Sequence, residues 1–177
     1  MSNQKRFLFK VIVVGDGGVG KSTMIQRLTT GQFIPQKITI GTDLATIDIK
    51  IKETPVKLQI WDFGGEKRFR FFLPNYCRGA LGCLLCYDIT RYPSFEHLDE
   101  WYKIIHENAL DPTIILVGGK KDLAEERRVV PQDDATKFKK KYNINYNFET
   151  SSKTGVNNNN IFETLTKGIM EKQNFQV

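Results

Sequence analysis

Runs of apolar residues that resemble strands alternate along the chain with apolar residues at helical spacing. Three continuous apolar runs, at residues 7–14, 82–87 and 113–117, predict buried strands of a parallel sheet, because such strands are covered on both faces. A shorter run at 146–148 predicts one further strand. This alternation of strand and helix is typical of an α/β fold.

A different pattern occupies the region between the first two buried runs. Residues 44–51, alternating from Ile47 onward, and residues 56–61 place apolar and polar side chains in turn. Such alternation predicts strands with one exposed face. Residues 53–55, Glu-Thr-Pro, predict a turn between them, so we expect an antiparallel hairpin.

Helical spacing of apolar residues predicts helices that end in loops of polar residues. We expect Ser94 to cap one helix and Pro131 to begin another, because both residue types are favoured at helix N-termini. The four consecutive asparagines at 157–160 predict a poor first turn of the last helix. The predicted helices cover residues 22–28, 94–105, 131–142 and 156–170.

Together these elements predict a three-layer α/β fold with a mostly parallel, six-stranded sheet that has one antiparallel strand. Ligands bind at the carboxyl ends of the strands in such sheets. The chain has 177 residues, which suits one domain. We expect this domain to span residues 1–177, with a folded core at about residues 7–170.

Composition narrows the class of protein. Hydrophobic residues make up 40% and charged residues 26% of the chain, as in soluble globular proteins. No apolar run approaches the roughly 20 residues of a transmembrane helix, and residues 1–6 lack the apolar core of a signal peptide. Cys77, Cys83 and Cys86 have neither zinc spacing nor an even count. Cys83 and Cys86 lie in an apolar run, so we expect them to be buried thiols of an intracellular, cytoplasmic protein.

The net charge of +6 raises the question of an acidic partner. Basic residues cluster at 67–70, 120–121, 127–128 and 137–141. These clusters could attract nucleic acid or an anionic membrane. Alternatively, they are solvated faces of helices and ligands of phosphate groups. The chain has no aromatic-interleaved RNA motif and no DNA-reading helix pattern. We therefore expect no nucleic-acid partner and at most peripheral contact with a membrane.

Residues 15–22, Gly-Asp-Gly-Gly-Val-Gly-Lys-Ser, carry the strongest chemical signal. This phosphate loop fits the pattern of nucleotide-binding loops and lies between a predicted strand and a predicted helix. Its glycines let successive N–H groups point at an anion, and the helix N-terminus adds partial positive charge. We expect Lys21 to reach the β- and γ-phosphates and the Ser22 hydroxyl to ligate Mg²⁺. The candidate nucleotide contacts here are Gly15, Asp16, Gly17, Gly18, Val19, Gly20, Lys21, Ser22 and Thr23.

Asp62 ends the strand at 56–61, beside the position where a parallel neighbour would bring the phosphate loop. A carboxylate there can hold Mg²⁺ through a water molecule; the alternative is that Asp62 caps a turn. Gly64 and Gly65 follow, so the backbone can closely approach a γ-phosphate.

Further motifs make the chain resemble the small GTPases of the Ras superfamily, closest to the Rab branch. These motifs are residues 39–41, 57–62, 76–80, 87–90 with 94–95, and 149–154. The resemblance extends over about residues 7–170. It implies a phosphate-loop G domain that binds GTP and GDP with Mg²⁺, hydrolyses GTP, and acts as a monomeric switch in signalling and vesicle trafficking.

The resemblance also assigns a guanine site. It implies that Lys120 lies along the base, that Asp122 reads guanine, and that Ser152 offers its backbone N–H, with Ser151 and Lys153 on either side. A carboxylate can accept hydrogen bonds from guanine N1–H and the exocyclic amine, which adenine cannot offer together.

Two switch segments are expected to change with the nucleotide, the first around Thr39 and the second around Gly65. The resemblance implies that Thr39 joins Mg²⁺ and the γ-phosphate only in the triphosphate state and that Gly65 donates its N–H to the same phosphate. Phe33 is a candidate to stack on guanine. The spacing from Phe33 to Thr39 is one residue shorter than in the family, and a core position for Phe33 is the alternative.

The chain departs from the family pattern in three places. Gly119 stands where the family has asparagine, and Phe-Gly at 63–64 replaces Thr-Ala. Glu66 occupies the position of the catalytic glutamine. Glu66, Lys21 and Gly65 are the candidate catalytic residues, and we expect slow hydrolysis because an ionised carboxylate accepts hydrogen bonds but cannot donate them.

Aromatic residues crowd the second switch segment. Trp61, Phe69 and Phe72 are expected to form a patch that binds effector proteins in the GTP state, with core packing as the alternative for Trp61 and Tyr76. An exchange factor and a GTPase-activating protein are further expected partners. The carboxyl end, residues 173–177, has no cysteine for lipidation.

Three functions compete at this point. The first is a GTP-hydrolysing switch. The second is a nucleotide-holding scaffold or binding module with negligible hydrolysis, which Glu66 suggests. The third, a phosphate-loop kinase, is disfavoured because no arginine-rich lid is evident and Asp122 with residues 151–153 points to guanine.

Overall fold

The computed structural model describes residues 6–175. Its strands are β1 Phe7–Val14, β2 Thr42–Ile51, β3 Thr54–Phe63, β4 Gly82–Asp88, β5 Thr113–Gly119 and β6 Tyr146–Glu149. They form a six-stranded sheet in the order β2-β3-β1-β4-β5-β6. Every neighbouring pair is parallel except β2 and β3, which are antiparallel. The predicted fold class is confirmed.

Helices flank this sheet on both faces. They are α1 Lys21–Thr30, α2 Leu73–Cys77, α3 Tyr92–Glu96, α4 Leu98–Asn108, α5 Ala124–Arg127, α6 Gln132–Lys141 and α7 Asn158–Lys172. Short 3₁₀ turns precede α2 and α5, at Lys67–Phe72 and Lys121–Leu123. The sequence patterns did not predict α2, α5 or these turns, because each is too short to establish a helical period.

The sheet divides the apolar core into two clusters, one on each face. Helices α1 and α7 cover one cluster, while α2, α4 and α6 cover the other. Strand β4 is buried along its whole length, as its continuous apolar sequence predicts. Cys83 and Cys86 are buried free thiols, as predicted, and so is Cys77. Burial raises the pKa of Cys77 to about 11 and that of Cys86 to about 12.

The hairpin between β2 and β3 turns earlier than predicted. Residues 52–53 form the turn, and Pro55 already lies in β3, opposite Lys50. Lys52 adopts a left-handed φ of 51°, which lets the chain reverse within two residues. The predicted turn at residues 53–55 is therefore displaced by about one residue, and the antiparallel pairing is confirmed.

Ser94 does not cap a helix, so that prediction is wrong. Helix α3 begins at Tyr92, with Pro93 in its first turn, and Ser94 is fully buried inside it. The Ser94 hydroxyl instead accepts the Asp88 N–H at 2.9 Å, which fixes the end of β4. A break at His97 separates α3 from α4.

The last helix begins two residues later than predicted because Asn157 has a left-handed φ of 59°. The asparagines that follow are used in tertiary contacts: the buried Asn158 donates from Nδ2 to the Met24 carbonyl at 3.1 Å. In residues 6–175 no helix has the length and apolar character needed to cross a membrane. Residues 1–5, which bear on the signal-peptide prediction, and residues 176–177 of the carboxyl end lie outside the described residues.

Candidate functional site

The phosphate loop and the ends of β4 and β5 border a cavity of about 350 Å³. Most of the predicted nucleotide contacts meet there, although they come from distant parts of the chain. Gly15, Asp16 and Ser151 do not line it. The predicted residues that do are Gly17, Gly18, Val19, Gly20, Lys21, Ser22, Thr23, Phe33, Thr39, Gly65, Lys120, Asp122, Ser152 and Lys153.

The phosphate loop needs glycine where it leaves β1. Gly15 has a φ of 140°, and a Cβ there would lie 2.2 Å from the Cys86 carbonyl oxygen of neighbouring β4. Gly20 has a φ of 103°, in the left-handed region, immediately before α1 begins at Lys21. The loop therefore curls tightly between strand and helix, a conformation in which successive N–H groups can bind an anion.

Lys21 is nearly fully buried beneath this loop. Its Nζ donates to the carbonyl oxygens of Gly15 at 2.8 Å and Asp16 at 2.9 Å. Burial lowers the pKa of Lys21, the nearby Asp62 carboxylate opposes that shift, and Arg91 adds to it. The loop thus holds a cationic group at the floor of the cavity, where a polyanion would compensate its lost hydration.

Two hydroxyls and one carboxylate converge beside Lys21. The Oγ atoms of Ser22 and Thr39 lie 2.6 Å apart, and Ser22 Oγ donates to Asp62 Oδ2. Thr39 Oγ1 is 3.4 Å from the same carboxylate oxygen. Burial raises the pKa of Asp62, against the opposing hydrogen bond from Ser22 and the charge of Lys21.

Asp62 Oδ1 is buried and has no hydrogen-bond partner within residues 6–175. Such an atom is costly unless something binds it. Hydroxyl and carboxylate oxygens are the ligands that Mg²⁺ prefers, so the donor set fits this metal. No group of three His, Cys, Asp or Glu side chains suited to a different metal occurs in the described part of the chain.

Gly64 and Gly65 join the two predicted switch segments to the phosphate loop. The Gly64 N–H donates to the Gly41 carbonyl at 2.7 Å, and a Cβ on Gly64 would lie 2.5 Å from the Thr39 carbonyl oxygen. A Cβ on Gly65 would lie 2.1 Å from the Gly17 nitrogen. Backbone-to-backbone approach of this kind excludes any side chain at either position.

Glu66, the predicted catalytic residue, does not line the cavity. Its Oε2 accepts the Arg68 Nε–H at 2.6 Å, and the two side chains form an ion pair at the start of the 3₁₀ turn. The carboxylate is therefore directed to a neighbour in sequence. Its catalytic function stays a prediction.

The predicted guanine-binding residues lie in loops after β5 and β6. Asp122 Oδ1 accepts the hydroxyl of the buried Ser151 at 2.7 Å, so Ser151 orients the carboxylate from behind. Lys120 Nζ lies 2.6 Å from the buried Asp88 carboxylate, which holds its stem along the cavity wall. Phe33 lines the cavity and is 43% exposed, so it is not a core residue.

Gly119 contacts the phosphate loop directly. A Cβ at this position would lie 2.8 Å from the Val19 carbonyl oxygen. An asparagine here, as in the family motif, would add an amide only after that carbonyl moves. The glycine therefore matches a phosphate loop that packs closely on the end of β5.

The sequence did not predict how Asp16 is used. Its Oδ2 lies 2.6 Å from His97 Nδ1, and its Oδ1 accepts the Trp101 Nε1–H at 2.9 Å and Arg70 at 3.2 Å. Arg70 also pairs with Glu100 and lies over the Trp101 ring, 4.3 Å from its centroid. No short motif could reveal this network, because its members are separated by up to 85 residues.

The predicted aromatic patch is only partly exposed. Trp61, Phe69 and Tyr76 are partly buried against the core, as the alternative reading of Trp61 and Tyr76 held. Phe72 is exposed, and its neighbour Phe71 is 68% exposed. Large apolar residues are also exposed on the first segment and β2, at Phe33, Ile34, Ile38, Ile40 and Leu44.

Comparisons with known proteins agree with this geometry. The Ras family model matches residues 10–171. Ras-related protein RABE1d of Arabidopsis thaliana is 39% identical over 168 residues, which cover 94% of this chain and 77% of that protein. Ras-related protein RABA1c of the same plant is 41% identical over 165 residues, covering 91% and 75%. Ras-related protein RAB1BV of Beta vulgaris is 39% identical over 168 residues, covering 94% and 78%. The chain therefore belongs to the Ras family and is a Rab-like small GTPase.

Proposed function

We propose that this chain is a switch that binds GTP and GDP with Mg²⁺ and hydrolyses GTP slowly. The observation that carries the proposal is the convergence of Ser22, Thr39 and Asp62 at the end of the phosphate-loop cavity. Thr39 comes from the first switch segment and Asp62 from the strand that leads into the second. A ligand at this point therefore contacts both segments at once.

Ser22 and Thr39 would hold Mg²⁺ through their hydroxyls, and Asp62 would hold it through a water molecule. The metal would neutralise charge on the β- and γ-phosphates. Lys21 would bind the same phosphates, and the Gly65 N–H would donate to the γ-phosphate. GDP lacks that phosphate, so Thr39 and Gly65 would lose a shared ligand on hydrolysis.

Asp122 supports the choice of guanine over adenine. Its carboxylate is oriented by Ser151 at 2.7 Å, and an ionised carboxylate can only accept hydrogen bonds. Guanine offers two adjacent N–H groups to such an acceptor. Phe33, Lys120, Ser152 and Lys153 would complete the contacts to the base and ribose.

Partners would recognise the nucleotide state through the exposed apolar residues of both segments. Ile38 and Ile40 in the first segment and Phe71 and Phe72 in the second lie outside the core. Effectors would bind this surface in the GTP state. An exchange factor and a GTPase-activating protein would act on a monomeric, cytoplasmic chain.

A nucleotide-holding scaffold with negligible hydrolysis is the second candidate function. The ion pair between Glu66 and Arg68 favours this scaffold, because Glu66, at the position of the catalytic glutamine, is paired with Arg68 and does not line the cavity. Binding of GTP would then be the whole activity, and effectors would stay bound.

Nucleotide competition and single-turnover hydrolysis test both candidates. We expect unlabelled GTP and GDP, but not ATP, to displace labelled GDP in a Mg²⁺-dependent manner. Lys21→Ala should lower affinity for GTP by at least about a hundredfold, since it removes the buried cation. Displacement by ATP as effective as that by GTP would contradict the proposal. Bound GTP that is not hydrolysed over many hours would favour the scaffold.

A further inference from the structure

A second cavity, of about 280 Å³, lies beside the nucleotide cavity and shares Gly17 and Gly65 with it. Its remaining lining residues are Asp16, Lys67, Arg70, Arg91, Pro93 and His97. Asp16 and Glu100 already engage Arg70. Arg91 contacts the main chain of the phosphate loop.

Arg91 donates from its NH2 group to the Gly17 carbonyl oxygen at 2.6 Å. A Cβ added to Gly18 would lie 3.7 Å from the NH1 atom of the same guanidinium. The guanidinium therefore lies against two consecutive glycines of the loop that is expected to hold the phosphates. It is an arginine of the same chain, in contact with the loop that is expected to hold the phosphates.

The backbone of Arg91 is fixed, while its side chain is exposed. Its N–H donates to the Asp88 carbonyl at 3.0 Å, and its carbonyl accepts the hydroxyl of the buried Ser94 at 2.7 Å. A Cβ on Gly17 would meet no atom within 4 Å, so there is open space directly beside the loop. The guanidinium can enter this space by rotating its side chain, without any movement of the main chain.

We propose that Arg91 supplies in cis the cation that stabilises the charge developing on the γ-phosphate during GTP hydrolysis. This inference rests on the proposed function. Water attacks the γ-phosphorus, the bond between that phosphorus and the β–γ bridging oxygen breaks with its electron pair leaving on GDP, and the water's proton passes to a phosphate oxygen, so GDP and inorganic phosphate result. Arg91 transfers no proton; it donates N–H hydrogen bonds to the phosphate oxygens and retains its positive charge.

Glu66 explains why such a cation is needed. A glutamine at that position would donate an amide N–H toward the γ-phosphate, whereas Glu66 cannot donate and is paired with Arg68. Arg91 would supply the donor that Glu66 lacks, from the cavity that Gly65 also lines. Its planar fork can bind two phosphate oxygens together, which lysine cannot do.

Single-turnover GTP hydrolysis without any partner protein tests this assignment. The proteins are the parent, Arg91→Ala, Arg91→Lys and the control Lys67→Ala, which removes another cation of the same cavity. We expect Arg91→Ala to slow hydrolysis by about 10- to 100-fold, less than the full effect of a desolvated arginine finger, because this side chain is exposed. Arg91→Lys should be intermediate, and Lys67→Ala should stay within about threefold of the parent.

Two further readouts separate this inference from the proposed function. Affinity for GDP should change by less than about threefold in all four proteins, because the cation acts on charge that develops during reaction. GDP with aluminium fluoride, which mimics the transferring phosphoryl group, should bind the parent but not Arg91→Ala. Unchanged hydrolysis in Arg91→Ala, or an equal loss in Lys67→Ala, would overturn the inference while GTP binding stands. Failure of the parent to bind GTP would instead remove the proposed function.

Discussion

The two predicted switch segments are attached to the rest of the protein in different ways. Residues 33–40 of the first segment form neither helix nor strand, and the Thr39 hydroxyl links them to Ser22 and Asp62. The second segment, at Lys67–Phe72, is a 3₁₀ turn. Arg70 ties it to Asp16, Glu100 and the Trp101 ring.

We expect the attachment of the first segment to depend on the bound ligand, whereas the second segment is held by side chains of the protein. The Thr39 hydroxyl lies at the proposed metal site, so the first segment should gain order when that site is filled. Arg70 is bound by side chains that do not contact the nucleotide cavity. We therefore expect the first segment to respond strongly to the nucleotide and the 3₁₀ turn to keep much of its structure.

Removing the Thr39 hydroxyl should have the largest effect. Thr39→Ala deletes the link between the first segment and the proposed metal site, so affinity for a GTP analogue should fall by about 10- to 100-fold. Affinity for GDP should change by less than about threefold. Fluorescence titration with labelled nucleotides measures both, and Thr39→Ser, which keeps the hydroxyl, is the matched control. Equal losses for the two nucleotides would mean that Thr39 does not distinguish the states.

The second largest effect should come from Arg70→Ala, which removes the attachment of the second segment. Arg70 is 13% exposed and paired with two carboxylates, so we expect a loss of about 2 kcal/mol in the free energy of unfolding. Arg68→Ala, two residues away and 66% exposed, should cost about 0.5 kcal/mol or less. Urea denaturation of both variants measures the difference. If the two arginines prove equivalent, the network around Asp16 does not stabilise the segment.

The ion pair between Arg128 and Glu149 lies outside both segments and should give the smallest effect. Two hydrogen bonds, at 2.6 and 2.7 Å, hold the pKa of Glu149 below its usual value. A carboxylate with a lowered folded pKa stabilises above its unfolded pKa, and this stabilisation is lost as pH falls through the folded value. Arg128→Ala should therefore cost about 1 kcal/mol at pH 7. Denaturation at pH 7 and at about pH 4 should show the difference from the parent shrinking; a constant difference would exclude the ion pair as its cause.

The buried strands and the phosphate loop could be predicted from short stretches of sequence. The apolar runs predicted β1, β4 and β5, and the glycine pattern predicted the loop that meets Lys21 and Ser22. Burial on both faces and the need for left-handed backbone are properties of a few adjacent residues. These predictions therefore needed no knowledge of tertiary contacts.

The rest depended on contacts between residues that are distant in sequence. The sequence predicts Ser94 as a helix cap, yet its hydroxyl fixes the end of β4. The sequence predicts Asp16 as a nucleotide contact but does not predict that its carboxylate binds Arg70, His97 and Trp101. Glu66 was assigned from its position in a motif, which does not reveal where the side chain points. Side-chain direction at a polar residue follows from its partners, and the sequence does not name them.

Hydrogen exchange of the protein loaded with GDP, compared with a non-hydrolysable GTP analogue, tests the central claim most directly. With Mg²⁺ present, amides of residues 33–40 should be protected by more than about tenfold further in the triphosphate state. Amides of residues 67–72 should change clearly less, and those of β1 and β5 should not change. Equal protection of residues 33–40 in both states, or a larger change at residues 67–72, would contradict the account.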